Sequence, residues 1–290
     1  MTKYSIAQVE ALTGIKGHTI RVWERRYNFL APERTNTNIR FYSDAELRKL
    51  LNVSILNRNG VKISKIDRMT DAQINEAILN LFNTIDTALN EEINKLTLAM
   101  LDMDEIKFDK IFQKQLVRFG LIKTMTDIIY PFLNHVGVLW TTQKAMPAHE
   151  HYVSNLIRQK IIAATDSLPS APANARSIVL FLAEGEDHEL GLLLAYFIAK
   201  DLGWQVYYLG QNVPTENVLE VVALKKPQYI LSILTAPLSK KYERHIHNLV
   251  LNLKIPLIAS GSPGNFTILK KAAIEVVHLP SPDALVSFLR

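Results

Sequence analysis

The 290-residue chain contains no cysteine, which excludes disulfides, thiolate metal sites and thiol catalysis. No apolar run approaches the roughly 20 residues of a membrane span, and the opening Met1-Thr-Lys-Tyr-Ser5 lacks the charged-then-apolar order of a secretion signal. A soluble, cytoplasmic protein with no membrane partner is the expectation. A glycine-rich dinucleotide fingerprint is also missing. Gly185 and Gly191 stand too far apart, with acids between them.

What is present supports a sizeable core, since 48% of the residues are hydrophobic, and the length suggests two or three domains. The net charge of +5 is unevenly placed. Residues 1–68 hold thirteen Lys and Arg against six Asp and Glu, whereas the remainder is slightly acidic. That asymmetry points to nucleic acid at the N-terminal end.

Ser5 is placed to cap a first helix with Ile6, Val9 and Leu12 on one face, and Gly14 breaks it. A second helix from about Lys16 to Tyr27 turns Ile20 and Trp23 inward and leaves Lys16, His18, Thr19, Arg21, Arg25 and Arg26 outside. Two short helices across a glycine turn, the second rich in arginine, have the pattern of a helix-turn-helix. Pro32 and the Thr35-Asn-Thr-Asn38 tract then separate two short extended pieces, the signature of a wing, with Arg34 and Arg40 placed for phosphates. Ser43 and Glu46 form a capping box for a helix that runs to about Asn59, where Gly60 ends it.

The segments Tyr4-Ser-Ile-Ala-Gln-Val9, Leu12-Thr-Gly14, Thr19-Ile-Arg21-Val-Trp-Glu-Arg25-Arg-Tyr27 and Arg40-Phe-Tyr-Ser43 closely resemble the DNA-binding domain of the MerR family of transcription regulators. The resemblance implies that Arg21, Arg25, Arg26, Arg40 and Tyr42 contact DNA.

Residues 71–90 carry Ile74, Ala77, Ile78 and Leu81 in helical phase and read as a linker. From 91 to about 170 the period is predominantly helical, with Asp109 to Phe119, Leu121 to Ile129 and His149 to Ala164 the clearest helices, which suggests a four-helix bundle. Trp140, Glu150 and His151 lie within it. By period alone they are a core tryptophan and a polar helix start. Their spacing resembles the helical cap over the upper face of cobalamin in cobalamin-binding regulators.

Residues 175–290 alternate strand and helix. Ser177 to Leu182, Gln205 to Leu209, Tyr229 to Ile233, Pro256 to Ala259 and Glu275 to His278 read as five strands, with a last helix from Pro282 to Leu289. Five parallel strands, doubly wound, give a flavodoxin-like Rossmann sheet. The loop Ala183-Glu-Gly-Glu-Asp-His-Glu-Leu-Gly191 follows the first strand, at the sheet edge where such folds bind ligands. His188 there is placed to act as an axial metal ligand steadied by Glu186, and Gly191 to admit something bulky near the backbone.

An acid, one residue, His, two residues and Gly map onto Glu186, His188 and Gly191, and a Ser-x-Leu element maps onto Ser232 and Leu234. These resemble the cobalamin-binding fold in which a protein histidine replaces the vitamin's own benzimidazole on cobalt. The family's later Gly-Gly pair falls at Gly261 and Ser262, so the second position departs from it and narrows the space for the benzimidazole tail. Trp204, Tyr207 and Tyr208 match the second strand of that fold.

Taken together the segments resemble the cobalamin-dependent MerR regulators of the CarH/LitR type. That implies a non-enzymatic repressor in which adenosylcobalamin or another cobalamin, with His188 as lower axial ligand of cobalt, controls oligomerisation and operator binding, in some relatives through light. Expected partners are double-stranded operator DNA, further copies of the chain as a homo-dimer or homo-tetramer, and RNA polymerase or a regulatory protein. In the light-sensing relatives a histidine follows the cap tryptophan, and here Thr141 stands in its place. Cobalamin binding is therefore expected to survive without the photochemical trap unless His135, His149 or His151 substitutes. Two alternatives stay open: a cobalamin-independent regulator that uses the C-terminal fold for oligomerisation or protein interaction, and a corrinoid methyltransferase or mutase subunit.

Overall fold

The computed structural model describes residues 3–27, 29–35, 38–82, 87–235, 240–253, 255–274 and 276–290. Contacts divide the chain into two compact units, Met1–Arg118 with Lys123–Val153 and Phe119–Ile122 with Ser154–Arg290.

In the first unit, β1 (Tyr4–Ser5) leads into α1 (Ile6–Thr13), and Ser5 makes a capping box with Gln8. Gly14 adopts a left-handed φ of 70° and donates its N–H to the Glu10 carbonyl, a backbone state that glycine reaches without a Cβ penalty. Glu10 then fixes the helix-turn-helix corner, because its carboxylate accepts from the Gly17 amide at 2.8 Å and pairs with Lys16 at 2.9 Å. Helix α2 (Gly17–Arg26) follows. Strands β2 (Glu33–Arg34) and β3 (Arg40–Tyr42) form the wing, and β1 joins it, so the sheet runs β1-β3-β2, antiparallel throughout.

Val9, Ile15, Ile20, Leu30, Tyr42, Leu47 and Leu50 make the core of this head, with Trp23 and Phe29 packed against it. Full burial of one such Leu or Ile contributes about 1.5–3 kcal/mol. Leu12, expected on the inner face, is 50% exposed instead. Helix α1 is only eight residues long, and Val9 fills the contact that its single inward stripe offers.

Helix α3 (Asp44–Arg58) starts at the Ser43 and Glu46 capping box, and α4 (Ile63–Ile66) and α5 (Asp71–Phe82) follow. Val53 and Leu56 of α3 pack with Ile66, Ile74 and Ile78. Four long helices come next: α6 (Thr87–Leu101), α7 (Glu105–Thr124), α8 (Tyr130–Thr141) and α9 (Pro147–Asp166), with a π-helical segment at Met125–Ile129. Gly120 interrupts α7 at φ 75°, ψ 170°, where the sequence pattern had already separated two helices. Phe108 and Phe112 are buried, whereas Phe119 is exposed.

In the second unit β4 (Ser177–Ala183), α10 (Leu190–Asp201), β5 (Gln205–Val213), α11 (Thr215–Lys225), β6 (Tyr229–Leu234), α12 (Lys240–Asn252), β7 (Leu257–Gly261), α13 (Pro263–Lys271), β8 (Val277–His278) and α14 (Pro282–Leu289) alternate. The five strands lie in the order β5-β4-β6-β7-β8 and every pairing is parallel. This is the flavodoxin-like order expected from the sequence. Glu275, expected in the last strand, lies outside the described residues. Strand β5 runs beyond the expected Leu209, with register shifts against β4 where Gly210 and Asn212 take positive φ.

Trp204 closes the sheet's far end, its Nε1 donating to the Leu289 carbonyl at 3.0 Å. Among the described residues no helix is long and apolar enough to cross a membrane.

Candidate functional site

Two sets of residues stand out, one in each unit. On the head, Lys16, His18, Arg21, Arg25 and Arg26 are exposed and Thr19 is half-buried, while Ile20 is fully buried beneath them. The expected outward face of α2 is therefore in place. The two wing arginines are held differently from expectation. Glu24, on α2, takes Arg34 Nη2 on one carboxylate oxygen at 2.7 Å and Arg40 Nε on the other at 2.6 Å. Burial alone would raise the Glu24 pKa, but the hydrogen bonds from Arg40 and Arg34 outweigh it and hold the carboxyl below its ordinary range.

Tyr42 does not reach this surface, which corrects the expectation that it contacts DNA. It is fully buried in the head core and its hydroxyl has no partner among the described residues. It pairs with Tyr4 of β1 and packs with Val9, Leu47 and Leu50, so the helices of the head cover it. Desolvation raises its pKa.

In the second unit the strand order reverses between β4 and β6, and open α/β sheets bind ligands at the carboxyl ends of the strands beside such a switch point. The loop after β4 carries Glu186 and His188 at that edge. Glu186 is fully buried; one oxygen meets His188 Nδ1 at 2.5 Å and accepts the His188 amide at 3.1 Å, and the other accepts the Thr235 amide at 2.8 Å. The carboxylate thus ties the end of β4 to the end of β6. The His188 ring is 63% exposed. Asn212 steadies the other flank by accepting from the Gly185 amide at 2.9 Å and donating to Asp187.

Ser232 lies beside this loop, opposite Phe181 in the β4 and β6 pairing. It is fully buried and its hydroxyl has no hydrogen-bond partner among the described residues. A buried hydroxyl without a partner costs free energy, so the site suits a ligand that supplies an acceptor. Leu234 is a core side chain, and its contribution is through the backbone. Gly261 has a φ of 133°, and a Cβ there would fall 2.3 Å from the Leu234 carbonyl oxygen. Only glycine fits that contact.

At Gly191 a Cβ would meet Ile233 Cγ2 at 3.3 Å, so its missing side chain helps α10 pack on β6. The Ser262 hydroxyl donates to the Thr235 carbonyl at 3.0 Å, and its amide donates to the Leu234 carbonyl, which ties the start of α13 to the end of β6.

The sequence reading took Tyr208 only as a strand residue and gave no role to Glu189 or Arg158. Glu189 accepts from the Tyr208 hydroxyl at 2.8 Å and pairs with Arg158 of α9 at 2.7 Å. Burial, and then the Glu189 contact, push the Tyr208 pKa strongly upward. Tyr208 also stacks on Tyr196 with ring centroids 5.0 Å apart. The second acid of the His-Glu dipeptide was the available signal, but its partners are 19 and 31 residues away.

Trp140, Glu150 and His151 fall in the first unit. Trp140 is half-buried and packs against the head core, the bland alternative that its period offered. The neighbouring Thr141 is buried; its hydroxyl donates to the Val138 carbonyl, and its own carbonyl accepts from Asn52 Nδ2 at 3.1 Å. His151 Nδ1 meets the Glu150 carboxylate at 3.2 Å, and the His151 ring is well exposed. His149 is buried with Nδ1 accepting the Met146 amide.

Residues 4–73 match the family of MerR HTH regulatory proteins and residues 92–164 match the B12 binding domain. The transcriptional repressor CarH of Myxococcus xanthus is 28% identical over 247 residues, 83% of this chain and 82% of that protein. The repressor CarA of the same organism is 28% identical over 233 residues, covering 78% and 74%. Among solved structures, the monomethylamine corrinoid protein of Methanosarcina barkeri superposes with a TM-score of 0.54 at 17% identity, over 69% of this chain and 97% of that one, a likeness of fold. The wide coverage by repressors supports a non-enzymatic regulator over a corrinoid enzyme subunit. The chain thus combines a MerR-type helix-turn-helix segment with a B12-binding domain and is homologous, over most of its length, to the CarH and CarA transcriptional repressors.

Proposed function

We propose that this protein is a DNA-binding transcriptional repressor controlled by cobalamin, with adenosylcobalamin as the favoured form. The observation that carries the reading is the buried Glu186 carboxylate between the His188 ring and the Thr235 amide, beside the unpartnered Ser232 hydroxyl. Cobalamin would supply a cobalt that an imidazole can ligate and a nucleotide tail with hydrogen-bond acceptors. His188 would hold the cobalt through Nε2, since Glu186 holds the ring at Nδ1. Ser232 would donate to the tail, and Gly261 would keep the β6 and β7 backbones close enough to shape its slot. In chain order the reading divides the protein into a head at 1–70, a linker at 71–90, a helical bundle at 91–170 that carries Trp140, Glu150 and His151 as cap residues, and a sheet domain at 175–290.

Lys16, His18, Thr19, Arg21, Arg25, Arg26, Arg34 and Arg40 would read a pseudo-palindromic operator as part of a homo-dimer or homo-tetramer in the cytoplasm, with RNA polymerase or a regulatory protein as a further partner. A ligand that binds one assembly state better shifts the population toward it, which is how cofactor binding would control repression. Thr141 cannot ligate a metal as an imidazole does, so cobalamin binding would survive here without the photochemical trap unless His135, His149 or His151 substitutes.

The packing of Trp140 on the head core favours a second reading, a regulator that works without cobalamin. Incubation with adenosylcobalamin in the dark, gel filtration and absorption spectroscopy separate the two. Co-elution of a His-ligated corrinoid that His188→Ala abolishes supports the first reading, and illumination then tests the assembly. Elution without corrinoid overturns it.

A further inference from the structure

The arginine-rich stretch of residues 18–27 contains one acid, Glu24. A carboxylate on a surface that meets phosphates is repelled by them, so its presence there needs a reason. Its side chain is only 11% exposed, and both oxygens are committed to the wing. Arg34 and Arg40 face each other across β2 and β3 as a registered pair, and like charges directly opposite destabilise a ladder. Glu24 bridges them.

The same guanidinium of Arg34 donates from Nη1 to Asn38 Oδ1 at 2.8 Å. Asn38 is the left-handed residue of the wing turn, at φ 63°. Arg40 meets Glu24 through Nε, a side-on contact that does not use the two-Nη edge suited to a phosphate. One carboxylate on the reading helix therefore sets the spread of both wing arginines and the wing's distance from that helix.

We propose that Glu24 is a positioning residue for DNA binding, holding Arg34 and Arg40 in a fixed spread so that both meet the backbone phosphates beside the groove entered by α2. The proposal rests on the reading of the head as a DNA-binding module and is independent of the cofactor. It carries a sign that simple electrostatics reverses. If Glu24 only neutralised the wing, its removal would free two cations and tighten binding. If it positions them, its removal disperses two pre-organised contacts and weakens binding.

The test uses the full chain and a duplex enriched by that chain from a random-sequence pool, with affinity measured at several salt concentrations. Glu24→Gln, which keeps size and loses charge, is expected to bind about tenfold more weakly, the scale of a lost charge-assisted hydrogen bond. Replacing Arg34 and Arg40 together by Ala is expected to reduce the slope of log affinity against log salt by about two. Adding Glu24→Gln to that pair is expected to weaken binding no further, because the residues act as a unit.

Equal or tighter binding by Glu24→Gln overturns the proposal, as does an equal loss in the arginine-free background. An unchanged salt slope in the Arg34, Arg40 double variant overturns it without relying on the folding of Glu24→Gln. A wild-type chain that enriches no duplex removes the DNA-binding reading and the proposal with it.

Discussion

The Glu186 carboxylate lies fully buried beneath the exposed ring of His188, joined to its Nδ1 at 2.5 Å and to the Thr235 amide at 2.8 Å. One side chain therefore orients the imidazole and clips together the two strands between which the sheet order reverses. Glu186→Gln keeps the volume but places an amide where the ring nitrogen and Thr235 both need an acceptor. Cobalamin affinity should fall by about 10- to 100-fold, the usual cost of losing a group that orients a metal-ligating histidine. Equal affinity of the variant in a spectroscopic titration would remove Glu186 from the ligand's support.

Ser232 is expected to separate stability from binding. Its hydroxyl is buried without a partner, so Ser232→Ala should leave the ligand-free protein as stable or more stable by about 1 kcal/mol. The same change should weaken cobalamin binding about tenfold, through a lost hydrogen bond. Thermal melts with and without ligand read both effects. A variant that loses stability and keeps its affinity would assign the hydroxyl to the fold alone.

Gly261 and Gly264 offer a contrast within four residues. Alanine at Gly261 puts Cβ 2.3 Å from the Leu234 carbonyl oxygen at a φ of 133°, whereas nothing lies within 4 Å of a Cβ at Gly264. Gly261→Ala should cost at least about 3 kcal/mol, from backbone strain and the clash together. Gly264→Ala should be neutral or stabilise by up to about 1 kcal/mol. Denaturant titrations of the two variants that gave similar midpoints would contradict this account of the β6 and β7 contact.

His135 introduces a pH dependence. Burial lowers its pKa from the ordinary 6.5, so the folded state favours the neutral ring and the unfolded chain takes up the proton first. Its contribution is complete above about pH 6.5 and is lost as the pH falls from there through the lower folded value. His135→Leu should flatten the fall in Tm between about pH 7 and 5. A melt series with the same slope in both proteins would show that His135 does not set it.

The parts of the fold that were legible in the sequence are those whose physics is local. Ser5, Gly14, Ser43 and Gly60 announced helix ends because caps and left-handed turns involve only neighbouring backbone. The strand and helix alternation after residue 175 gave the parallel sheet because buried strands and amphipathic helices differ in period. His188 with Glu186 was legible because a two-residue loop spacing is enough to bring them together.

The tertiary structure decided the rest, where an assignment depends on what arrives from a distance. Tyr42 turned inward because the head core needed its ring, and Gly191 became a packing position because Ile233 occupies the space beside it. Arg34 and Arg40 were placed as phosphate ligands by their charge, but Glu24 reached them only after the wing folded back on α2. Glu189 gained Arg158 and Tyr208 in the same way. Sequence by itself determined which elements form, because propensity, capping and period act over a few residues. Only tertiary packing decided which side chains are consumed by the fold and which remain for DNA or cofactor, because burial and pairing are properties of the assembled neighbours.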